Sequence, residues 1–139
     1  VELIGCEAEG AASLDKGTMG ILHGMETLIL QNSERQIAQT HSISAGLDYP
    51  AVGPWLSGLK LENRLKSISI SDKDCIESLQ FLAKEEGILC ALESAHAIAG
   101  AQKYLKQNSG KTIVICLSGR GDKDLDTIKK FVDLSENKL

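Results

Sequence analysis

Three stretches of this chain carry residues whose types and spacing could do chemistry. The first is Ser118-Gly119-Arg120-Gly121-Asp122-Lys123-Asp124, which follows directly on Thr112-Ile-Val-Ile-Cys-Leu117. The apolar, largely β-branched run reads as a strand covered on both faces, and Ser118 stands at its carboxyl end, where open α/β sheets place their ligands. Gly119 and Gly121 allow a tight turn and a close approach of backbone to a ligand, and a dense cluster of charge follows. The plainer reading is a strand, a surface turn and a helix start. The second stretch holds Glu93 and Ser94 near the start of a helix-like segment, where unpaired N–H groups favour negative charge; an acidic residue that merely suits the helix dipole fits equally. The third is His41 to Pro54. Gly46, Pro50, Gly53 and Pro54 forbid one long regular element there, yet the stretch is small and apolar. Such a loop, packed inside a protein, must satisfy its own carbonyls. It either lines a site or holds a cation, or it is an ordinary covered loop, and the residues alone leave both open.

The elements that must position these residues follow from periodicity. Residues 1–7 read as a short strand and 8–17, rich in Gly and Ala, as a loop. From Gly17 to Gln31 the apolar residues at 21, 22, 25, 28 and 29 favour a helix, in which His23 is more naturally a packing residue than a ligand. Residues 32–41 are polar and exposed, and 55–64 are helical. Leu65 to Ser71 alternates as a strand. A helix capped by Ser71 or Asp72 runs through Glu86, with Ile76, Leu79, Leu82 and Ala83 as its buried stripe and Gly87 as its stop. A second helix spans 88–106, its first half almost all small residues. Asn108-Ser-Gly110 is a turn, a last helix spans about 124–134, and 135–139 fray. Strands separated by helices predict the α/β class: a single domain over 1–139, with a mostly parallel sheet and helices on both faces.

Composition narrows the function classes. The chain has 139 residues, enough for one core. Its net charge of −4 and the absence of a basic stripe argue against a nucleic-acid partner. No apolar run reaches membrane-spanning length, and no signal-peptide pattern is present. Cys6, Cys75, Cys90 and Cys116 are widely spaced and read as reduced core residues of a cytoplasmic protein, with Cys6 and Cys116 in buried strands. The scattered histidines His23, His41 and His96 argue against a zinc site. The start at Val1, inside a strand-like run, reads as a fragment, a cleaved product or part of a longer protein.

Taken together, Ser44-Ala-Gly-Leu-Asp-Tyr-Pro-Ala-Val-Gly-Pro54, Glu86-Gly-Ile-Leu-Cys-Ala-Leu-Glu-Ser-Ala-His-Ala97 and Leu117-Ser-Gly-Arg-Gly-Asp-Lys-Asp124 resemble, in this order and spacing, the C-terminal part of the tryptophan synthase β-subunit family. The resemblance runs from Val1 to about Lys130. It implies the later part of a two-domain α/β pyridoxal-phosphate enzyme that makes L-tryptophan from L-serine and indole, alongside an α-subunit and a second β-subunit. It implies that Ser118 hydrogen-bonds the pyridine nitrogen of pyridoxal phosphate as a neutral partner and that Gly119 gives the ring room. Such tuning of the ring is the protein's share of the chemistry. Glu93 is implied as the acidic residue beside the cofactor, and Asp48 as the aspartate that swings toward substrate. The carbonyls of Leu47, Tyr49 and Ala51 are implied ligands of a monovalent cation, sodium or potassium, and Leu22 and His23 as residues lining the indole tunnel.

The chain also departs from the family. Residues 8–16 are shorter than the family's loop, and Trp55-Leu-Ser-Gly58 replaces its usual turn after Val-Gly-Pro. The Schiff-base lysine, the substrate-carboxylate loop and the phosphate loop belong to the part of the family chain that precedes Val1. The expectation is therefore a C-terminal fragment, inactive alone and exposing apolar surface. The alternative is a degenerate, non-catalytic remnant acting as a binding or interaction module. The Ser-Gly-Arg-Gly-Asp run speaks against the cysteine-synthase and threonine-synthase branches of the same fold. An adhesion role for Arg120-Gly-Asp122 is too short a signal to carry weight.

Overall fold

A computed structural model describes residues 1–132. The chain divides into two compact units, Val1–Ser71 and Asp72–Leu139. The first is built on a parallel pair, β1 (Leu3–Ala8) and β4 (Leu65–Ile70), in register from Leu3 opposite Leu65 to Ala8 opposite Ile70. Short helical turns at Glu9–Ala11 and α1 (Ser13–Lys16) follow β1 where a loop is predicted. Their order comes from a buried carboxylate. Glu7 Oε1 accepts the Leu14 N–H at 2.8 Å and the Ser13 hydroxyl at 3.5 Å, tying the turn to the end of the strand. Leu14, Leu28 and Leu65 form the core here, with Val52 and Leu59 packed against them.

The helix expected from Gly17 to Gln31 is instead an antiparallel hairpin, β2 (Thr18–Leu22) and β3 (Met25–Ile29). His23 and Gly24 form its two-residue loop, with φ of 50° and 76°. Positive φ at both positions matches the primed turns whose twist suits a hairpin. The apolar spacing misleads because β3 is covered on successive residues. Thr27, Leu28 and Ile29 are all buried, which erases the alternation a half-exposed strand displays. Part of that cover comes from the irregular stretch after residue 40. Ala51 bridges Ile29, Leu30 N–H donates to the Pro50 carbonyl, and Thr27 Oγ1 donates to the Val52 carbonyl at 2.5 Å. Leu14 and Leu65 cover Leu28, and α2 (Pro54–Leu61), which starts with proline at its first position, also packs against β3. Ser57, in the Trp55–Gly58 segment, is 2% exposed and accepts the Leu28 N–H at 3.2 Å. Trp55 beside it is 81% exposed.

The second unit packs α3 (Asp72–Glu86) on α4 (Leu92–Gln107). Cys75, Ile76, Leu79 and Leu82 repeat at helical spacing and are buried on α3. Ala95, Ala99 and Gly100 are buried on α4, where small side chains let helices approach closely. Burying Leu79 and Leu92 fully contributes roughly 1.5–3 kcal/mol each. Gly87, at φ 68°, ends α3 with its N–H on the Ala83 carbonyl, as its sequence position predicts.

The strand expected at 112–117 is not formed. No ladder includes these residues, Val114 is 94% exposed, and Cys116 is exposed rather than buried. A strand exists only through its neighbours, and a β-prone sequence without one satisfies its backbone in water. After Arg120 come a 3₁₀ turn at Gly121–Asp124 and the short α5 (Leu125–Ile128). The predicted last helix is thus mostly a single turn, and its end and the tail at 135–139 lie outside the described residues. No helix among the described residues is long and apolar enough to cross a membrane.

Candidate functional site

In the second unit the loop 118–124 is fastened onto the segment that leads into α4. Cys90 and Arg120 form a bridge, Gly121 N–H donates to the Leu89 carbonyl at 3.2 Å, and Ser94 Oγ donates to the Ser118 carbonyl at 2.8 Å. Two residue choices make this contact geometrically possible. Gly119 adopts φ 96°, open to glycine, and a Cβ there would come within 3.3 Å of Ala91 Cβ. A Cβ on Gly121 would overlap the Cys90 carbonyl oxygen and stand 2.7 Å from Leu89 Cγ.

The predicted residues Ser118, Gly119 and Glu93 are thereby brought together. Lys123 Nζ donates to Glu93 Oε2 at 2.9 Å and to Asp124 Oδ1 at 2.8 Å. Asp124 Oδ2 accepts the Leu92 N–H at 2.9 Å. These hydrogen bonds, to Asp124 above all and then to Glu93, push the Lys123 ammonium above the usual lysine range. Lys123 is half exposed, so the pairing acts as orientation more than as stability.

Beneath this surface the Leu92 carbonyl accepts from His96 Nδ1 at 2.7 Å and from Cys75 Sγ at 3.4 Å. Leu92, His96 and Cys75 are all 0% exposed. With Nδ1 donating, His96 Nε2 is a bare acceptor, and it has no partner among the described residues. Burial holds His96 below the usual histidine range, partly offset by its bond to Leu92. Burial likewise pushes the Cys75 thiol up to about 12. All four cysteines are free thiols.

In the first unit the remaining predicted residues stand together on one loop. A 3₁₀ turn at Ala45–Leu47 precedes Asp48, which is exposed. Ala51 faces Ile29 as a non-hydrogen-bonded pair, since the bonds run from Leu30 to Pro50 and from Val52 to Leu28. In such a pair the residue's own carbonyl points away from the neighbouring strand. Among the described residues no N–H bonds the carbonyls of Leu47, Tyr49 or Ala51. His23, at the hairpin tip, meets this loop, with Nδ1 2.6 Å from the Tyr49 hydroxyl. Leu22 precedes it at the end of β2. No cluster of three or more His, Cys, Asp or Glu side chains among the described residues could hold a metal ion.

Sequence reasoning missed the roles of Lys123, Asp124, His96 and Glu7. A signal existed for Asp124. The residue before α4 is Ala91, whose side chain cannot cap, so a cap had to come from elsewhere. The partners of His96 and Glu7 are set by tertiary packing and leave no local pattern.

The residues fit a pyridoxal-phosphate site. The Ser118 hydroxyl has no partner among the described residues, so it is available to a ring nitrogen, and Gly119 presents backbone where a side chain would stand. Tryptophan synthase β chains of Lacticaseibacillus casei (strain BL23) and Lacticaseibacillus paracasei (strain ATCC 334) are each 46% identical over 147 aligned residues, covering 98% of this chain. The chain spans 36% of the length of these curated relatives. A fungal L-serine ammonia-lyase from Rhizomucor miehei has a similar fold, with a TM-score of 0.65 at 20% identity, over 94% of this chain and 41% of that one. The family description "Pyridoxal-phosphate dependent enzyme" matches residues 1–119, and the chain belongs to that family.

Proposed function

We propose that this chain is the C-terminal portion of a tryptophan synthase β chain, a cytoplasmic enzyme that makes L-tryptophan from L-serine and indole with an α-subunit and a second β-subunit as partners. The observation that carries the reading is the fastening of Ser118 and Gly119 onto the Glu93 turn, within a chain 46% identical along 98% of its length to named β chains.

Pyridoxal phosphate, when bound, supplies the electron sink for elimination and replacement at the β-carbon of an amino acid. Ser118 would hold its pyridine nitrogen through a neutral hydroxyl, which leaves the ring less electron-withdrawing than a carboxylate partner would. Glu93 would place negative charge beside the cofactor, where it steers charge as the serine hydroxyl leaves. Asp48 would help close the site over substrate. The carbonyls of Leu47, Tyr49 and Ala51 would hold sodium or potassium, since hard cations take oxygen dipoles. Leu22 and His23 would line the path of indole.

The isolated chain should be inactive, because it lacks the lysine and phosphate cradle that position the cofactor in this family. Growth of a bacterium deleted for its own β chain tests the reading. This chain alone should fail to restore growth without tryptophan, and co-expression with the N-terminal part of a related β chain should restore it. Growth with this chain alone, or failure of the pair where the relative's own two halves succeed, would overturn the reading.

A further inference from the structure

The first turn of α4 is held by residues from outside it, and their arrangement singles out Glu93. We propose that Asp124 and Lys123 are positioning residues for Glu93, Asp124 by capping the first turn of α4 and Lys123 by tethering the Glu93 carboxylate to that cap. The inference rests on the catalytic reading of Glu93 given above.

Four observations support it. Ala91, at the N-cap position, offers no side-chain acceptor, and the Leu92 N–H bonds Asp124 Oδ2 instead. A helix start without an acceptor leaves N–H donors unpaired, and a carboxylate is the best-suited replacement. The Asp124 side chain is only 12% exposed, so its charge is little screened by solvent where it meets the helix. Lys123 Nζ lies within 2.8 and 3.0 Å of the two Asp124 oxygens and 2.9 Å of Glu93 Oε2. One ammonium therefore spans the cap and the acidic side chain. Finally, both ends of the Leu92 residue are fixed, its N–H by Asp124 and its carbonyl by His96 and Cys75. Glu93 thus leaves a backbone anchored at the residue before it, and Lys123 selects among its side-chain rotamers. The Cys90–Arg120 bridge and the Gly121 N–H bond to the Leu89 carbonyl deliver Lys123 and Asp124 in this register.

NMR of the 139-residue chain tests the proposal without cofactor or substrate. In Asp124→Ala the Leu92 amide should exchange with solvent about tenfold faster, while the amides of α3 keep their protection. In Lys123→Met the three-bond couplings of Glu93 should fall from those of one rotamer to those of an average. Lys123→Arg should restore the single rotamer, which a merely structural role for this position would not require. If Asp124→Ala does not fold, Asp124→Asn serves: it keeps an acceptor for Leu92 and weakens the tether, so Leu92 stays protected while Glu93 averages. Unchanged Leu92 exchange in Asp124→Ala, or Glu93 couplings in Lys123→Met equal to those of the wild type, would overturn the proposal. The catalytic reading fails by a different result. Glu93→Gln would leave tryptophan formation by the reconstituted enzyme untouched, with the tether still present in the wild-type spectra.

Discussion

Replacing Gly121 by alanine should cost far more than a methyl group ordinarily does. The backbone at Gly121 is not in the left-handed region, so conformational strain is not the cause; space is. The added Cβ would overlap the Cys90 carbonyl oxygen and stand 2.7 Å from Leu89 Cγ and 2.9 Å from the Leu89 carbonyl oxygen. Two of these atoms are backbone of the segment leading into α4, where Cys90 and Ala91 are buried, so the loop must retreat instead. Retreat breaks the Gly121 N–H bond to Leu89, for about 1 kcal/mol. It also pulls Asp124 off the Leu92 N–H, for about 1 kcal/mol as the loss of a cap. The sum is on the order of 2–3 kcal/mol, a large part of the roughly 5–15 kcal/mol that holds a typical domain. Urea unfolding followed by far-UV circular dichroism measures it, with Gly58→Ala as the control. Gly58 lies within α2 with nothing within 4 Å of its would-be Cβ, so that change should stabilise by about 0.5–1 kcal/mol. A Gly121→Ala protein within about 0.5 kcal/mol of wild type would refute the fastened-loop reasoning.

Three further outcomes follow from buried groups. His96 titrates below its ordinary value of 6.5 in the folded chain, so its contribution is present above pH 6.5 and is lost as pH falls toward the folded midpoint. Stability should drop by up to about 1.4 kcal/mol per pH unit in that window, and the difference between wild type and His96→Gln should show this slope in denaturant titrations at several pH values. Glu7 behaves oppositely. Burial raises it above 4.5, against the pull of the Leu14 and Asp15 N–H bonds, so its contribution is complete below pH 4.5 and is lost as pH rises through the folded midpoint. Glu7→Gln should therefore gain on wild type across that rise; a constant difference would contradict the burial argument. Cys116 is exposed and should react with a thiol reagent in the native chain, whereas Cys75 and Cys90, at 0% and 2% exposure, should react only on unfolding, as peptide mapping of the labelled chain would show.

Much of the fold is legible in the sequence wherever local rules decide. The stripe of Ile76, Leu79 and Leu82, the glycine stop at Gly87 and the alternation from Leu65 to Ile70 give α3 and β4 nearly to the residue. Pro54 marks the start of α2. Where cover decides, the reading fails. β3 is buried on consecutive residues and imitates a helix, and only His23-Gly24, the hairpin tip, gave a local hint. The run 112–117 has a strand's composition but no ladder. The site divides the same way. Ser118, Gly119 and Glu93 were singled out by motif, and the structure sets their two segments side by side. The contacts of Lys123 with Glu93 and of Asp124 with Leu92 reach across 30 and 32 positions of chain, which no local pattern encodes. Ser57 is instructive too. It looked like a departure from the family, and in the fold it takes the Leu28 N–H of a covered strand.

The account stands most directly on one measurement: tryptophan formation from L-serine and indole by this purified chain combined with the N-terminal part of the Lacticaseibacillus casei β chain and pyridoxal phosphate. The account predicts activity in the pair, none in either part, and a loss of at least about tenfold when Ser118→Asp replaces the neutral partner of the ring nitrogen with a charged one. An inactive pair, beside an active pair made from the relative's own two parts, would contradict it. So would activity indifferent to Ser118→Asp, because the residue at the centre of the site would then not face the cofactor.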